Sequence, residues 1–509
     1  MLRYWYYLVP PVYLAVILWV QPADRIVMIM GERPPAGYPL AGPAVRWLTD
    51  DCDSIAYAVR AENAARGRKA GVVGPCWFHA DTGFRVWDDA YPRPEEYERG
   101  DPIEPPPDPR FVKRIAPYEP VSVGNERDFE HLLRYQAEMA DLGQPVPLRD
   151  RYFLEYPPLA LWLFRLGLIG APGPAPDVRP AILDEMQFFV GCHPPETPAE
   201  QLQYARFRYA LRVYAVLMTL AHLGLMWLVD RFFPGSPTWL LVLPGFLYFT
   251  PCRFDILPAA LVLASVAAAD RRRVALAGLL LGLAVALKMY PLVLAPILLR
   301  FTARTWKDAA VWCACAAVPV VASYAVMFAT DGVLGATVPL RFQLARDPEP
   351  EWCFYGKFLP PMLASKTPLL GALRTAVPLL VAVLLAASRP PDMASLLRRC
   401  AVALVTFLTL SVFFSPQWWQ WLAVLLVPLA GRSRWLLAAV VALDLWTYLH
   451  FPVLFDAIAT GTLGEWSSGV RVVHVLVRAV LWFAVAGAFA WREVRGEPGG
   501  VHKPGSAQN

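Results

Sequence analysis

Charge is scarce in this chain: 17% of its 509 residues are Asp, Glu, Lys or Arg, while 56% are hydrophobic. A soluble domain carries about a quarter of its residues as charges, so a soluble globular protein is excluded. Also missing are a soluble strand–helix–strand block and a glycine-rich phosphate loop, which argues against a resident nucleotide-binding domain. No long Lys/Arg run interleaved with aromatics occurs, so no nucleic-acid partner is expected. Eight cysteines, Cys52, Cys76, Cys192, Cys252, Cys313, Cys315, Cys353 and Cys400, include no C-x-x-C pair. Thiolate metal or redox motifs are thereby disfavoured. Cys313 and Cys315 lie in an apolar span as small core residues, whereas Cys52, Cys76, Cys192 and Cys353 fall in loops where disulfides can form.

What is present is a series of apolar blocks close to bilayer length, among them Tyr4 to Val20, Val311 to Ala329, Leu369 to Ala387 and Val472 to Trp491. Each calls for a spanning helix. The first has no small-x-small cleavage site at Gln21-Pro22-Ala23 and is read as an uncleaved span. Further spans are expected near 206–229, 238–251, 255–269, 274–288, 290–300, 311–329, 369–388, 400–414, 418–430, 435–450 and 472–490, about twelve (11–13) in all. The expected architecture is an all-α polytopic membrane protein: a first span over 1–20, a large extracytoplasmic loop over 21–155, a multi-helix domain over 156–492, and a disordered cytoplasmic tail over 493–509.

The net charge of +5 conceals an uneven distribution. Residues 21–155 carry 23 acidic and 17 basic side chains, a net of −6, against 30 basic and 19 acidic, +11, in the remainder. Arg271 to Arg273, Arg300 to Lys307, Arg398 with Arg399, Arg432 with Arg434, and Arg492 with Arg495 fall on one face if the spans alternate, and the positive-inside rule makes that face cytoplasmic. Parity then requires Tyr156 to Gly170 to dip in and return, or to lie flat. In the long loop, Asp53 to Gly67 reads as a capped helix and Glu126 to Leu142 as an amphipathic one. Tyr91 to Pro120, rich in proline and charge, reads as an irregular excursion.

Asp53-x-x-x-Tyr57 before an alanine-rich helix, Glu155-Tyr156-Pro157-Pro158-Leu159, Leu287-Lys288-Met289-Tyr290-Pro291 and Ser415-Pro416-Gln417-Trp418-Trp419-Gln420-Trp421 follow one another along the chain. In that order they resemble glycosyltransferase family 87, over roughly Leu48 to Pro428. The resemblance implies a GT-C-like membrane fold and an inverting transferase that takes a sugar, mannose- or arabinose-like, from a polyprenyl-phosphate donor. The acceptor it implies is a lipid or cell-envelope glycan, reached on the extracytoplasmic face of a cell membrane crossed many times. The insert Gly71 to Pro147 departs from a compact first loop.

Sugar transfer to a hydroxyl needs a base, and a carboxylate beginning a first-loop helix is suited to it. Asp53 is that candidate and Asp51 the reserve; Asp53 is alternatively a plain N-cap, or the two hold a divalent cation through oxygen. Glu155 and Tyr156 either contact sugar hydroxyls or belong to a proline-fixed helix entry. Lys288 is a snorkelling lysine or a phosphate ligand. Asp255 pairs with Arg253 or serves the same site, and Tyr57 and Tyr290 join the donor-binding set. Arg341 and Arg346 clamp a phosphate or sit solvated on an interfacial helix. Gln417 and His450 line the pocket or form an interfacial belt. A transporter or flippase of lipid-linked sugars is the competing class; it needs spans and buried charges, but not a large acidic loop.

Overall fold

The computed structural model describes residues 2–20, 156–173, 198–251, 253–345, 368–411, 414–431, 433–455, 457 and 462–495. Among them every regular element is helical. A 3-10 turn over Leu2–Leu8 runs into α1 (Val9–Val20); α2 is Pro158–Leu166 and α3 is Pro198–Phe232. After a 3-10 turn (Thr238–Val242) and the single-turn α4 (Pro244–Leu247) come α5 (Ile256–Asp270) and α6 (Val274–Leu287). Another 3-10 turn (Tyr290–Leu294) leads into α7 (Ala295–Thr302), then α8 (Trp306–Ala345), α9 (Pro368–Ala386) and α10 (Met393–Leu410). The turn Pro416–Trp418 starts α11 (Trp419–Ala430), followed by α12 (Arg434–Tyr448), a π turn (Leu449–Leu454) and α13 (Ser467–Val494). The capped loop helix expected from Asp53 to Gly67, the amphipathic helix from Glu126 to Leu142 and the Tyr91 to Pro120 excursion lie outside the described residues.

Among the described residues, five helical stretches are long and apolar enough to cross a membrane: Tyr209–Phe232, Trp306–Ala329, Met393–Leu410, Arg434–Leu454 and Gly469–Glu493. Shorter apolar helices of 10–17 residues add Tyr4–Leu18, Ile256–Asp270, Val274–Leu287, Tyr290–Thr302 and Ala376–Ala386. The expected span at 238–251 is corrected to a turn and a single helical turn, because Pro237, Pro244 and Pro251 each remove a backbone donor. The span at 290–300 likewise begins as a 3-10 turn at Tyr290-Pro291 before α7.

Local sequence explains the helix starts. Asp392 caps α10 by accepting from the Ser395 amide at 2.8 Å. Thr305 and Asp308 form a reciprocal box at the head of α8: the Thr305 hydroxyl oxygen accepts from the Asp308 amide at 3.1 Å, and the Asp308 carboxylate from the Thr305 amide at 3.0 Å. α6 lies against α8 with almost no space between backbones. A Cβ on Gly278 would stand 2.3 Å from the Trp312 carbonyl oxygen, and one on Gly282 2.1 Å from that of Ala316. This is the small-x-x-x-small contact of helices in lipid. Leu220, Trp227, Val321, Leu384 and Val480 face outward, as an apolar solvent requires.

The basic segments meet at one end of the bundle. Arg389 donates to the carbonyls of Phe301 (2.8 Å) and Ala303 (3.1 Å). Burial, then the charges of Arg304, Arg300 and Arg272, hold its guanidinium below the ordinary arginine pKa. Arg398 and Arg399 each grip Glu493 at 2.7 Å; Arg271 lies 4.0 Å over the Phe232 ring and Arg492 6.0 Å over Trp435. Tyr6 and Tyr7 both donate to Asp230 at 2.9 Å, placing the start of the chain at this end as well.

α2 stays away from that end. Tyr156, just before it, packs edge-on against Phe254 at the opposite end of the bundle. Beyond it, the Ile169 carbonyl accepts from Tyr209 at 2.9 Å, and Arg206 donates to the carbonyls of Pro172 and Gly173. Tyr209 stands about 31 Å of helical rise from Asp230, so Tyr156 to Gly170 enters and leaves on the side remote from the basic face.

Candidate functional site

α5 and α6 run antiparallel and, at 15 and 14 residues, rise only about 21–22 Å from the Arg271-Arg272-Arg273 turn. A bilayer core is about 30 Å thick, so each helix is shorter than one full crossing. Their free ends carry Asp255 and Lys288. α6 terminates where Lys288 turns extended (φ −156°, ψ 133°) before Tyr290-Pro291. The Asp255 side chain does not cap α5; instead Lys288 Nζ reaches its Oδ1 at 2.6 Å. Trp421 Nε1 donates to the same oxygen at 2.7 Å.

This corrects two expectations. Lys288 does not snorkel to an interface but is buried in an ion pair, and the carboxylate is gripped from α6 and α11 instead of through the neighbouring Arg253. Charges at this depth are tolerated because each supplies the other's solvation.

Aromatic rings enclose the ammonium. Lys288 Nζ lies 4.9 Å from the Phe254 ring centroid, 5.0 Å from Trp421 and 5.3 Å from Tyr156, within cation–π range. Tyr156 meets Phe254 edge-on at 5.0 Å. Tyr290 stacks on Trp421 at 3.8 Å and 3°, and Trp421 stacks on Trp418 at 4.8 Å and 19°. Residues from three of the sequence motifs thus share one site with Asp255: Tyr156, Lys288 with Tyr290, and the tryptophans that follow Gln417.

The Ser415 to Trp421 segment distributes its side chains by helical geometry. The Ser415 hydroxyl donates to the amide oxygen of Gln417, which is buried. Trp421 turns toward Lys288, and Trp418, three residues before it, stacks on Trp421. Trp419 turns away and donates to Asp444 Oδ1 at 2.8 Å, while the Gly245 amide donates to Asp444 Oδ2 at 2.8 Å. A Cβ on Gly245 would sit 2.1 Å from the Asp444 carbonyl oxygen, so only glycine admits this approach. Gln420 donates to the Phe246 carbonyl at 3.0 Å and to Thr250 Oγ1 at 3.4 Å; that hydroxyl lies 3.2 Å from His222 Nδ1.

The ring series continues past Trp418. Phe414 meets it edge-on at 6.1 Å and stacks on His450 at 5.8 Å; His450 lies 4.5 Å from His474, which stacks on Trp446 at 4.8 Å. The Arg478 guanidinium stands 3.7 Å over Phe414. His450, His474 and Arg478 are all buried, so His450 belongs to the interior and not to an interfacial belt. Asp444, His222, His474 and Arg478 were missed by sequence reasoning. Their signal was an ionisable side chain inside an apolar helix.

Asp51, Asp53, Tyr57, Glu155 and Arg346 lie outside the described residues, and Arg341 is placed only as backbone in the last turns of α8. Among the described residues no group of three or more His, Cys, Asp or Glu could hold a metal ion; the cation site considered at Asp51 and Asp53 lies outside them. Cys313, Cys315 and Cys400 are free thiols.

No curated protein matches the sequence. Residues 199–337, which carry Asp255, Lys288 and Tyr290 and the short helices that end at them, match the model of glycosyltransferase family 87, and the match supports a membrane glycosyltransferase.

Proposed function

We propose that the protein transfers a monosaccharide, mannose- or arabinose-like, from a polyprenyl-phosphate donor to a lipid or cell-envelope glycan acceptor on the extracytoplasmic face of a cell membrane, with inversion. The observation that carries this reading is the convergence of Tyr156, Asp255, Lys288, Tyr290 and Trp421 on one buried, aromatic-walled ion pair. The site lies at the end of the bundle away from the basic segments, and the positive-inside rule would make that side extracytoplasmic. Sugars present apolar C–H faces and polar rims, and rings flanked by charged groups suit both.

A donor tethered to a polyprenyl chain keeps its sugar and phosphate within reach of the bilayer, and with the Arg271-Arg272-Arg273 turn at one interface the short α5–α6 hairpin would recess the site about 8–9 Å below the other. In the transfer step the acceptor oxygen attacks the anomeric carbon from the side opposite the phosphate. Its proton passes to the Asp53 carboxylate, with Asp51 in reserve. The bond from the anomeric carbon to the phosphate oxygen breaks, and polyprenyl phosphate leaves with the electron pair. Arg341, Arg346 and His450, with Lys288, are the basic candidates for steadying that anion. Glu155, Tyr57 and Gln417 complete the proposed donor-binding set, and Asp51 with Asp53 is where a divalent cation would be held.

The deciding experiment reconstitutes the purified chain in proteoliposomes with a radiolabelled polyprenyl-phosphate sugar and a membrane extract as acceptor. Label appearing in a new glycan or glycolipid supports the transferase. Label that only changes leaflet supports a flippase and overturns the proposal.

A further inference from the structure

Both donors to Asp255, Lys288 Nζ at 2.6 Å and Trp421 Nε1 at 2.7 Å, converge on Oδ1. Oδ2 of the same carboxylate has no hydrogen-bond partner among the described residues, on a residue with no solvent exposure. The Tyr290 hydroxyl is in the same condition, buried and without a partner among the described residues. The two are joined through one side chain: the Tyr290 ring lies flat on Trp421, whose indole nitrogen holds Asp255. Buried polar atoms are nearly always paired. Two unpaired ones on either side of one indole, inside a membrane domain, mark where a ligand atom belongs.

We infer that Asp255 Oδ2 and the Tyr290 hydroxyl together read a single hydroxyl of the transferred sugar. A carboxylate oxygen only accepts, and a phenol can donate. A hydroxyl group answers both, donating to Asp255 and accepting from Tyr290. An anion is repelled by the carboxylate, and a second cation is repelled by Lys288. The partly exposed rings of Trp418 and Tyr156 supply the flat apolar surface against which a sugar ring packs. In this arrangement Lys288 is the counter-ion that keeps Asp255 ionised at depth. The inference rests on the proposed sugar transfer for the ligand's identity, and on the two unpaired oxygens for its position.

The test uses the full chain in nanodiscs with polyprenyl-phosphate mannose and arabinose and their analogues lacking one hydroxyl at a time. Binding is measured by native mass spectrometry, and transfer by radiolabel. The wild type is expected to discriminate roughly tenfold to a hundredfold against one deoxy position, in affinity as well as in kcat/KM. Y290F, which removes only an oxygen, should lose most of that discrimination at that position and keep the others. D255N should do the same, with thermal melting as a check on its fold. Undiminished discrimination in Y290F assigns the two oxygens to a trapped water and overturns the inference, as does an even loss across all positions, which marks a structural role. Selective binding without transfer supports the hydroxyl contact while overturning the transferase reading. Absence of binding by the wild type to every donor overturns both.

Discussion

Trp419 and Trp421 are two residues apart on one helix, and their indole nitrogens serve carboxylates on opposite sides of it: Asp444 on α12 and Asp255 at the head of α5. Two residues of an α-helix turn about 200°, so α11 is a wedge with a structural grip on one flank and the site on the other. Trp419→Phe is therefore expected to cost about 1 to 3 kcal/mol of stability, the price of a buried acceptor losing its donor, read as a lowered melting temperature in detergent. Trp421→Phe should melt closer to wild type and show its main effect on donor KM. Equal melting losses would mean that both flanks are structural.

Asp53→Asn keeps the shape of the side chain and removes the base. Transfer should fall by about 10² to 10⁴ while insertion and purification stay normal. Near-normal turnover would move the role to Asp51. Loss in both variants, rescued by added Mn²⁺ or Mg²⁺, would assign the pair to a cation.

Lys288→Met leaves Asp255 buried without its counter-ion and should destabilise the protein by about 3 to 5 kcal/mol. The double variant Lys288→Met with Asp255→Asn should recover part of that loss, a coupling measurable by a double-mutant cycle of melting temperatures. Arg304→Gln, at the basic end of the bundle, should leave donor affinity unchanged.

Gly282→Ala drives a methyl group into the Ala316 carbonyl of α8. Separation of α6 from α8 should lower the melting temperature. Because Lys288 terminates α6, transfer activity should fall with it. Gly224→Ala, with open space around its Cβ position, is the matched control and should leave both quantities near wild type.

Cysteine labelling in intact and opened vesicles should find Gly37 and Gly461 extracytoplasmic and Asp270, Gly431 and Gly505 cytoplasmic. Gly431 and Gly461 on the same side would contradict α12 as a crossing helix.

Lys288 and Asp255 were legible in the sequence because an ammonium or carboxylate inside an apolar block demands an explanation, whereas Tyr156 and Tyr290 stood out only through the motifs that carry the family resemblance. The partnership of Lys288 and Asp255 was harder to read. Residues 255 and 288 are 33 apart, and only the near-equal lengths of α5 and α6 about the Arg271-Arg272-Arg273 turn bring their free ends together. Asp444 and His474 escaped notice because their apolar surroundings made the helices conspicuous and the single polar side chain inconspicuous. The stretch 238–251 was misread as a span because its hydrophobicity outweighed the three prolines that interrupt it. Gly278 and Gly282 carried a readable close-packing pattern.

The short α5–α6 hairpin has a further consequence, for the lipid. If the Arg271-Arg272-Arg273 turn lies at one interface, a site about 21 Å above it is recessed from the other by a depth that the surrounding acyl chains set along with the protein. Longer chains raise the rim and lengthen the path by which water and a hydrophilic acceptor descend to Lys288; shorter chains lower it. Bilayer thickness thereby becomes a structural parameter of the site, as much a part of its geometry as the position of any side chain.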